Sequence, residues 1–385
     1  MKRGREEALY VYNLLSSLSS SLISPFLPIF FFEIVGKNFF LLELVNMTPL
    51  IVTTTLSLVW AFLADRIGLY KPFILASLIL SSATTFLLSL VNNFTDLFIV
   101  KLIGSVAGSM SSATFPALLA KIFRDHRERK ISTYMTLGLI GGFSRSLVSS
   151  YLYEAYGVRN VLKFLALASI VPAAVIALIK EEKEKQSSLR NLMFNCFLTK
   201  IARIFTAKCL LVFPSAFSGG LIGVYFLEYL KGSPSLWALV SAVTTLANLS
   251  TILYGRLGER IGDVNLLFLA GLGWSVLYTV YGLTTDITIF ALFFTIPVWP
   301  AFAIGYQTLL MKLSDEGSRA SIYSIDNILS TIYSASIGIL GGYLAEIFTP
   351  RPLFILAGFA VFLSAFIVKF YLLKILAVNR NVKIE

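Results

Sequence analysis

Charge, and the residues that carry most chemistry, are what this sequence has least of. Only 14% of its 385 residues are charged, with one histidine and two cysteines, where a soluble domain carries about a quarter charged residues. Mean hydropathy is +0.80, and 57% of residues are apolar or aromatic. Too few polar side chains remain to cover a water-exposed surface, which excludes a soluble two-domain protein. Lipid must act as part of the solvent, and only helices and closed barrels satisfy their backbone there. The apolar runs of 18 to 25 residues fit helices, because barrel strands alternate over about ten.

The same scarcity limits the chemistry. Cys196 and Cys209 give neither a disulfide framework nor metal-ligand spacing. His126 stands in Arg124-Asp125-His126-Arg127-Glu128-Arg129-Lys130, the setting of a solvated loop residue. No Gly-x-x-x-x-Gly-Lys-Ser/Thr, His-Glu-x-x-His or Gly-x-Ser-x-Gly occurs, so ATP-driven pumping and intramembrane hydrolysis lack their usual parts. Neither an enzyme nor a bound cofactor is expected. Lys2, Arg3 and Arg5 precede an apolar run too long for a signal h-region and without a clear Ala-x-Ala site; the first helix is expected to stay.

What is present is a series of twelve apolar runs, at 9–32, 40–62, 73–91, 97–120, 131–153, 160–179, 206–230, 236–254, 264–283, 287–311, 320–345 and 351–374. Each is long enough for a membrane helix. The largest break, 180–205, opens Lys180-Glu181-Glu182-Lys183-Glu184-Lys185 and reads as a hydrated linker. The expected organisation is a six-helix bundle at 1–180, a cytoplasmic linker at 181–205 and a second six-helix bundle at 206–385. With both termini cytoplasmic, 25 of the 32 Lys and Arg residues fall in cytoplasmic segments, against four in outer loops (Lys37, Arg159, Lys231 and Arg351). That asymmetry follows the positive-inside rule. Basic loops facing an anionic leaflet also account for the +11 net charge without nucleic acid.

An internal repeat is the strongest signal. Leu63-Ala64-Asp65-Arg66-Ile67-Gly68 follows the second run, and Leu257-Gly258-Glu259-Arg260-Ile261-Gly262 follows the eighth, 194 residues on. Lys130-Ile131-Ser132-Thr133-Tyr134 opens the fifth run, and Arg319-Ala320-Ser321-Ile322-Tyr323 the eleventh, 189 residues on. Two echoes at nearly one offset indicate parallel halves related by an axis along the membrane normal.

On these residues the chain resembles the major facilitator superfamily over essentially its full length. That family carries Gly-x-Leu-Ala-Asp-Arg/Lys-x-Gly-basic-basic between its second and third helices. This sequence keeps Leu63, Ala64, Asp65, Arg66 and Gly68, with Ala61 at the first Gly and Leu69-Tyr70-Lys71 at the basic pair. Pro25-Phe26-Leu27-Pro28 in the first run, and Lys101, Gly104, Gly108 and Pro116 in the fourth, are also similar to the family. The resemblance implies an all-α, twelve-helix transporter whose loop latches and releases the cytoplasmic side. Asp65, Arg66 and Gly68, with Glu259, Arg260 and Gly262 in the second copy, become gating candidates. On the residues alone, Asp65 could be drawn to the N-terminal dipole of the eleventh span, or could simply support a tight charged turn.

Polar residues inside the spans supply the other candidates, because a charge there is costly unless it pairs or meets water. Arg145 lies about 14 residues into the fifth span, too deep to snorkel, and stands open as substrate site, ion pair or gate contact. It also departs from the family's helix-five antiporter signature, a Gly-rich stretch with Pro and a final Gly-Gly, and by that resemblance the departure weighs against a drug/proton antiporter. Lys101 could snorkel outward or function. Asp326 could take a proton, pair with a cation or brace the inner gate. Asn13, Ser109 and Asn248 belong to polar stripes, and Gln307 and Tyr225 could orient a solute, although small hydroxyls and aromatics serve packing as readily. Lys208 marks the inner start of the seventh span, and Glu43 a solvated outer end.

The sequence thus leads to a monomeric secondary transporter of a prokaryotic plasma membrane, moving a small solute by rocking its halves. Arg145 and Lys101 suggest an organic anion, and Asp326 leaves room for protons. Export of amphipathic drugs and a non-transporting sensor of the same fold stay open beside it.

Overall fold

The computed structural model describes residues 2–19, 22, 25–123, 127–181, 197–313 and 319–381, apart from the side chains of some helical residues, Arg145 among them. The helices are α1 (Lys2–Ser19), α2 (Leu27–Ile34), α3 (Phe39–Ile67), α4 (Lys71–Leu88), α5 (Phe94–Ile122), α6 (Arg127–Ala168), α7 (Ile170–Leu178), α8 (Phe197–Ser218), α9 (Leu221–Val224), α10 (Pro234–Ala247), α11 (Thr251–Ile261), α12 (Asp263–Leu283), α13 (Ile287–Phe294), α14 (Trp299–Leu313), α15 (Arg319–Phe348) and α16 (Pro350–Asn381). Among the described residues, nine helical stretches are long and apolar enough to cross a membrane, and the bent pair at 234–261 makes ten. Of the other two expected spans, 9–32 includes residues outside the description, and 131–153 falls within α6 but includes residues whose side chains are outside it. His126 and most of the charged linker are likewise outside it.

Local chemistry sets the helix ends. The Asn38 side chain accepts from Leu41 N (2.8 Å), and the Asn93 side chain from Asp96 N (2.8 Å). Each satisfies an N–H that the helix cannot. Pro49, Pro116 and Pro214 lie inside helices, as membrane helices tolerate.

The chain divides into two compact units, Met1–Leu189 with Ser233–Thr245, and Arg190–Gly232 with Leu246–Glu385. In the first, α5 packs on α3 and α4, and α1 packs on α6. Leu9, Tyr12, Ile74, Leu118, Phe123, Ile176 and Ile179 close one core cluster. Gly138 and Gly141 admit α1: a Cβ on either would come within 2.8 Å of Asn13 or Ser17. In the second unit α12 and α16 make the most extensive contact. A Cβ on Gly271 would meet Ala365 Cβ at 2.8 Å, and one on Gly358 would meet Thr279 N at 2.8 Å. Small residues allow this approach where no hydrophobic force draws helices together. The opposite face of α16 exposes Leu356, Phe359 and Phe370, each more than 60% accessible.

The repeat extends into backbone geometry. Gly68 (φ 76°) and Gly262 (φ 83°) end the matched helices in the left-handed region, where glycine carries no Cβ penalty. Their N–H groups bond back to Ala64 O (2.8 Å) and Gly258 O (2.9 Å). Lys37 (φ 61°) and Lys231 (φ 57°) form another left-handed pair at the same spacing, and Gly157 (φ 69°) and Thr349 (φ 62°) a third at nearly the same one. Two residues after the last pair stand Arg159, which donates to Val91 O (2.9 Å), and Arg351, which donates to Leu283 O (2.9 Å). Both bonds span 68 residues. Arg351 also donates to Gly282 O (2.8 Å), closing the carbonyl end of α12, where a cation is favoured.

Candidate functional site

Within the second unit, α8, α14 and α15 bring three side chains together. Lys208 Nζ lies 2.7 Å from Asp326 Oδ2. The Tyr306 hydroxyl donates to Asp326 Oδ1, and the Lys208 ammonium stands 4.6 Å from the Tyr306 ring centroid. Ser330 Oγ donates to Asp326 O (2.5 Å), and Tyr333 Oη to Cys209 O (2.7 Å). The Asp326–Ser330–Tyr333 stripe therefore faces α8. Both partners of the ion pair are largely buried, with side chains 16% and 9% exposed. A pair survives removal from water when the geometry is close and further hydrogen bonds satisfy the carboxylate; here Tyr306 supplies one. Lys208 does more than mark a helix start: it is the counter-ion of Asp326.

A run of rings leads into this network. Phe302 lies 5.6 Å from Tyr306 and nearly parallel to it, at 12°. Trp274 and Trp299 stand 5.1 and 5.5 Å from Phe302. Trp299, at the start of α14, is 52% exposed.

The signature loop in the first unit is anchored by a residue that reads as linker. Glu181 accepts from Tyr70 N (3.0 Å) and Lys71 N (2.8 Å) and pairs with Lys121 (3.0 Å). Lys71 Nζ donates to Ala177 O (2.6 Å) and Ile179 O (2.8 Å). Asp65, itself exposed, accepts from Tyr70 Oη (2.9 Å). Arg66, Glu259 and Arg260 are exposed, and Gly68 and Gly262 make the two turns.

The other candidates are dispersed. Asn13 Nδ2 donates to Tyr134 O (2.5 Å), a cross-link between α1 and α6. Ser109 is fully buried; its hydroxyl accepts from Trp60 Nε1 (3.0 Å) and donates to Val106 O (2.6 Å). Lys101 stands 4.9 Å from the Phe31 ring centroid. Tyr225 is buried among Tyr229, Phe290 and Phe354 on a π-helical turn. Asn248 is exposed in the short 3-10 turn between α10 and α11, and Gln307 is exposed on α14. The Arg145 side chain lies outside the described residues. Glu43, expected as a solvated anchor, is fully buried. Its place one turn into an apolar helix, among Phe39, Leu42 and Val45, explains the difference. No group of three or more His, Cys, Asp or Glu that could hold a metal occurs among the described residues.

Long apolar helices in two compact units, duplicated in their turns and with a buried ion pair inside the second, describe a polytopic membrane protein. The Major Facilitator Superfamily profile matches residues 9–226, and the chain belongs to that superfamily. It is a multi-pass membrane protein of a transporter family, not an enzyme. It is 24% identical to the multi-drug resistance efflux pump PmrA of Streptococcus pneumoniae serotype 4 over 345 residues, covering 82% of this chain and 83% of that one. It is 24% identical to the multidrug resistance protein MdtG of Proteus mirabilis over 379 residues, covering 91% of each. Among solved structures it superposes on the nucleoside transporter NupG with a TM-score of 0.82 at 14% identity, over 96% of this chain and 99% of that one. With a D-xylose-proton symporter the TM-score is 0.74 at 13% identity, over 95% and 96%. At these identities the two structures speak for the fold alone.

Proposed function

We propose that this chain is a proton-coupled secondary transporter that exports small amphipathic molecules by alternating access. In this reading it has twelve spans, both termini are cytoplasmic, and it works as a monomer in a prokaryotic plasma membrane. The buried Lys208–Asp326–Tyr306 network carries the reading. A proton delivered to Asp326 forms a neutral carboxylic acid and removes the counter-ion of Lys208. A buried ammonium left without its partner is costly, so the two protonation states favour different arrangements around it. That difference is what lets a proton gradient drive a conformational cycle. The ring of Trp299, 52% exposed and backed by the buried rings of Trp274 and Phe302, offers an apolar face to planar solutes. Similarity to the efflux pump PmrA and the multidrug resistance protein MdtG supports export of drug-like compounds. The two matched turns, Asp65-Arg66-Ile67-Gly68 and Glu259-Arg260-Ile261-Gly262, are the gates of this cycle.

The test is ethidium accumulation in inside-out vesicles under an imposed pH gradient. Wild type accumulates the dye and a protonophore abolishes it. Asp326→Asn loses gradient-driven accumulation while keeping ethidium exchange. Accumulation by Asp326→Asn at the wild-type rate sinks the coupling. Absence of ethidium flux in the wild type sinks the export reading.

One observation favours an organic anion instead. Lys101 is held over an aromatic ring, a contact that leaves its net charge in place. Benzoate uptake that depends on Lys101 and Arg145, with no ethidium flux, selects that reading.

A further inference from the structure

Glu181 lies just past the sixth expected span, yet its side chain is only 3% exposed. A carboxylate leaves water only where other contacts replace its hydration. Three donors do so here: the backbone N–H groups of Tyr70 and Lys71 and the Lys121 ammonium. Tyr70 is the N-cap residue of α4 and Lys71 its first helical residue. The carboxylate thus sits on a helix N-terminus, where unsatisfied N–H groups and the dipole favour negative charge. Lys71 reaches the other way, to the last carbonyls of α7. From Tyr70 the chain of contacts continues through its hydroxyl to Asp65. One carboxylate therefore ties the start of α4, the end of α5 and the end of α7 to the loop acid.

We propose that Glu181 is a positioning residue of the transport cycle. It fixes the 65–70 turn to the end of α7, so that Asp65 and Arg66 are carried with the first unit and presented in one orientation. The inference rests on the reading of the 65–68 turn as a gate. The N–H cap, more than the ion pair with Lys121, does the holding.

Nitroxide labels at Ile67→Cys and Asn265→Cys in a background lacking Cys196 and Cys209, read by pulsed electron resonance, report the separation of the two gate turns without any substrate. Hydrogen exchange at Tyr70 and Lys71 reports the cap. Glu181→Ala should raise exchange at both amides at least tenfold and broaden the label distances, with the thermal midpoint retained. Lys121→Gln should change exchange less than threefold and leave the distances as in wild type. Glu181→Gln should fall between the two. Wild-type exchange and distances in Glu181→Ala overturn the proposal. So does a Lys121→Gln effect as large as that of Glu181→Ala, which would make the ion pair the anchor. Asp65→Asn separates this inference from the gate itself. If Asp65→Asn leaves the distances unchanged, the gate reading fails. If it changes them and Glu181→Ala does not, only the role of Glu181 fails.

Discussion

Lys208 Nζ and Asp326 Oδ2 stand 2.7 Å apart across 118 residues of sequence, and the Tyr306 hydroxyl completes the carboxylate's shell. Removing one partner leaves a charge in a site built for two, a loss of about 3–5 kcal/mol in buried pairs. Replacing both with apolar side chains of similar or larger size leaves no stranded charge. Lys208→Met and Asp326→Leu should therefore each lower the thermal midpoint in detergent more than the double variant does. The double variant should fold and still fail to respond to a pH gradient. Additive losses of the two single variants would show that the pair is not energetically coupled.

α8 and α15 pack closely at Gly341. A Cβ there would lie 1.8 Å from Phe217 O, a backbone atom that no rotamer change can move aside. Gly341→Ala should abolish assembly of the second unit, seen as loss of the monodisperse peak in size-exclusion chromatography. Gly255→Ala, where a Cβ meets nothing within 4 Å, should be neutral or stabilising by up to about 1 kcal/mol.

Ser109 belongs to a polar stripe of the fourth span, and its hydroxyl bonds to Trp60 and to its own helix. Ser109→Ala strands a part-buried indole N–H, at a cost of about 1–3 kcal/mol. The expected outcome is a lower melting temperature with an unchanged half-saturating ethidium concentration. A large change in that concentration at unaltered stability would make Ser109 a solute contact.

Asp286 caps α13, accepting from Thr288 N (2.7 Å) and Ile289 N (3.2 Å). Those bonds, from Ile289 first and Thr288 next, hold its carboxyl below the usual carboxylate range. A group lowered on folding stabilises above its unfolded pKa, and the contribution fades as pH falls through the folded value. Asp286→Asn keeps a capping side chain and removes the titration. The stability advantage of wild type over that variant should hold at neutral pH and shrink on acidification into the carboxylate range. A difference independent of pH would contradict the assignment.

The fold was legible because it depends on composition and period: apolar length gives helices, and the echo of Leu63–Gly68 at Leu257–Gly262 gives the duplication. The left-handed residues at the turns deepen that repeat, although Thr349 in place of a glycine hides it from the sequence. The site was legible only in part. Asp326 stood out as a carboxylate deep in a span. Its partner did not, because position alone placed Lys208 at a helix end and spacing along one helix cannot show what packs against it. Glu181 was hidden for the opposite reason. In a run of alternating charges every residue looks solvated, and only the fold shows which one turns inward. One available signal was its place immediately after an apolar run, opposite the free N–H groups that any helix such as α4 must present.

The glycine-lined contact of α12 with α16 also bears on biosynthesis. α12 ends at Leu283 and α16 begins at Pro350, so the groove is made well before its cover. At 5–20 residues per second, roughly 3 to 13 seconds of translation separate them. During that interval the helix waits in the bilayer with Gly271 and Gly282 uncovered. A ribosome stalled after α15 would display this bare seam to insertion chaperones and membrane proteases. The α16-facing side of this seam is therefore closed only when the last helix has been made.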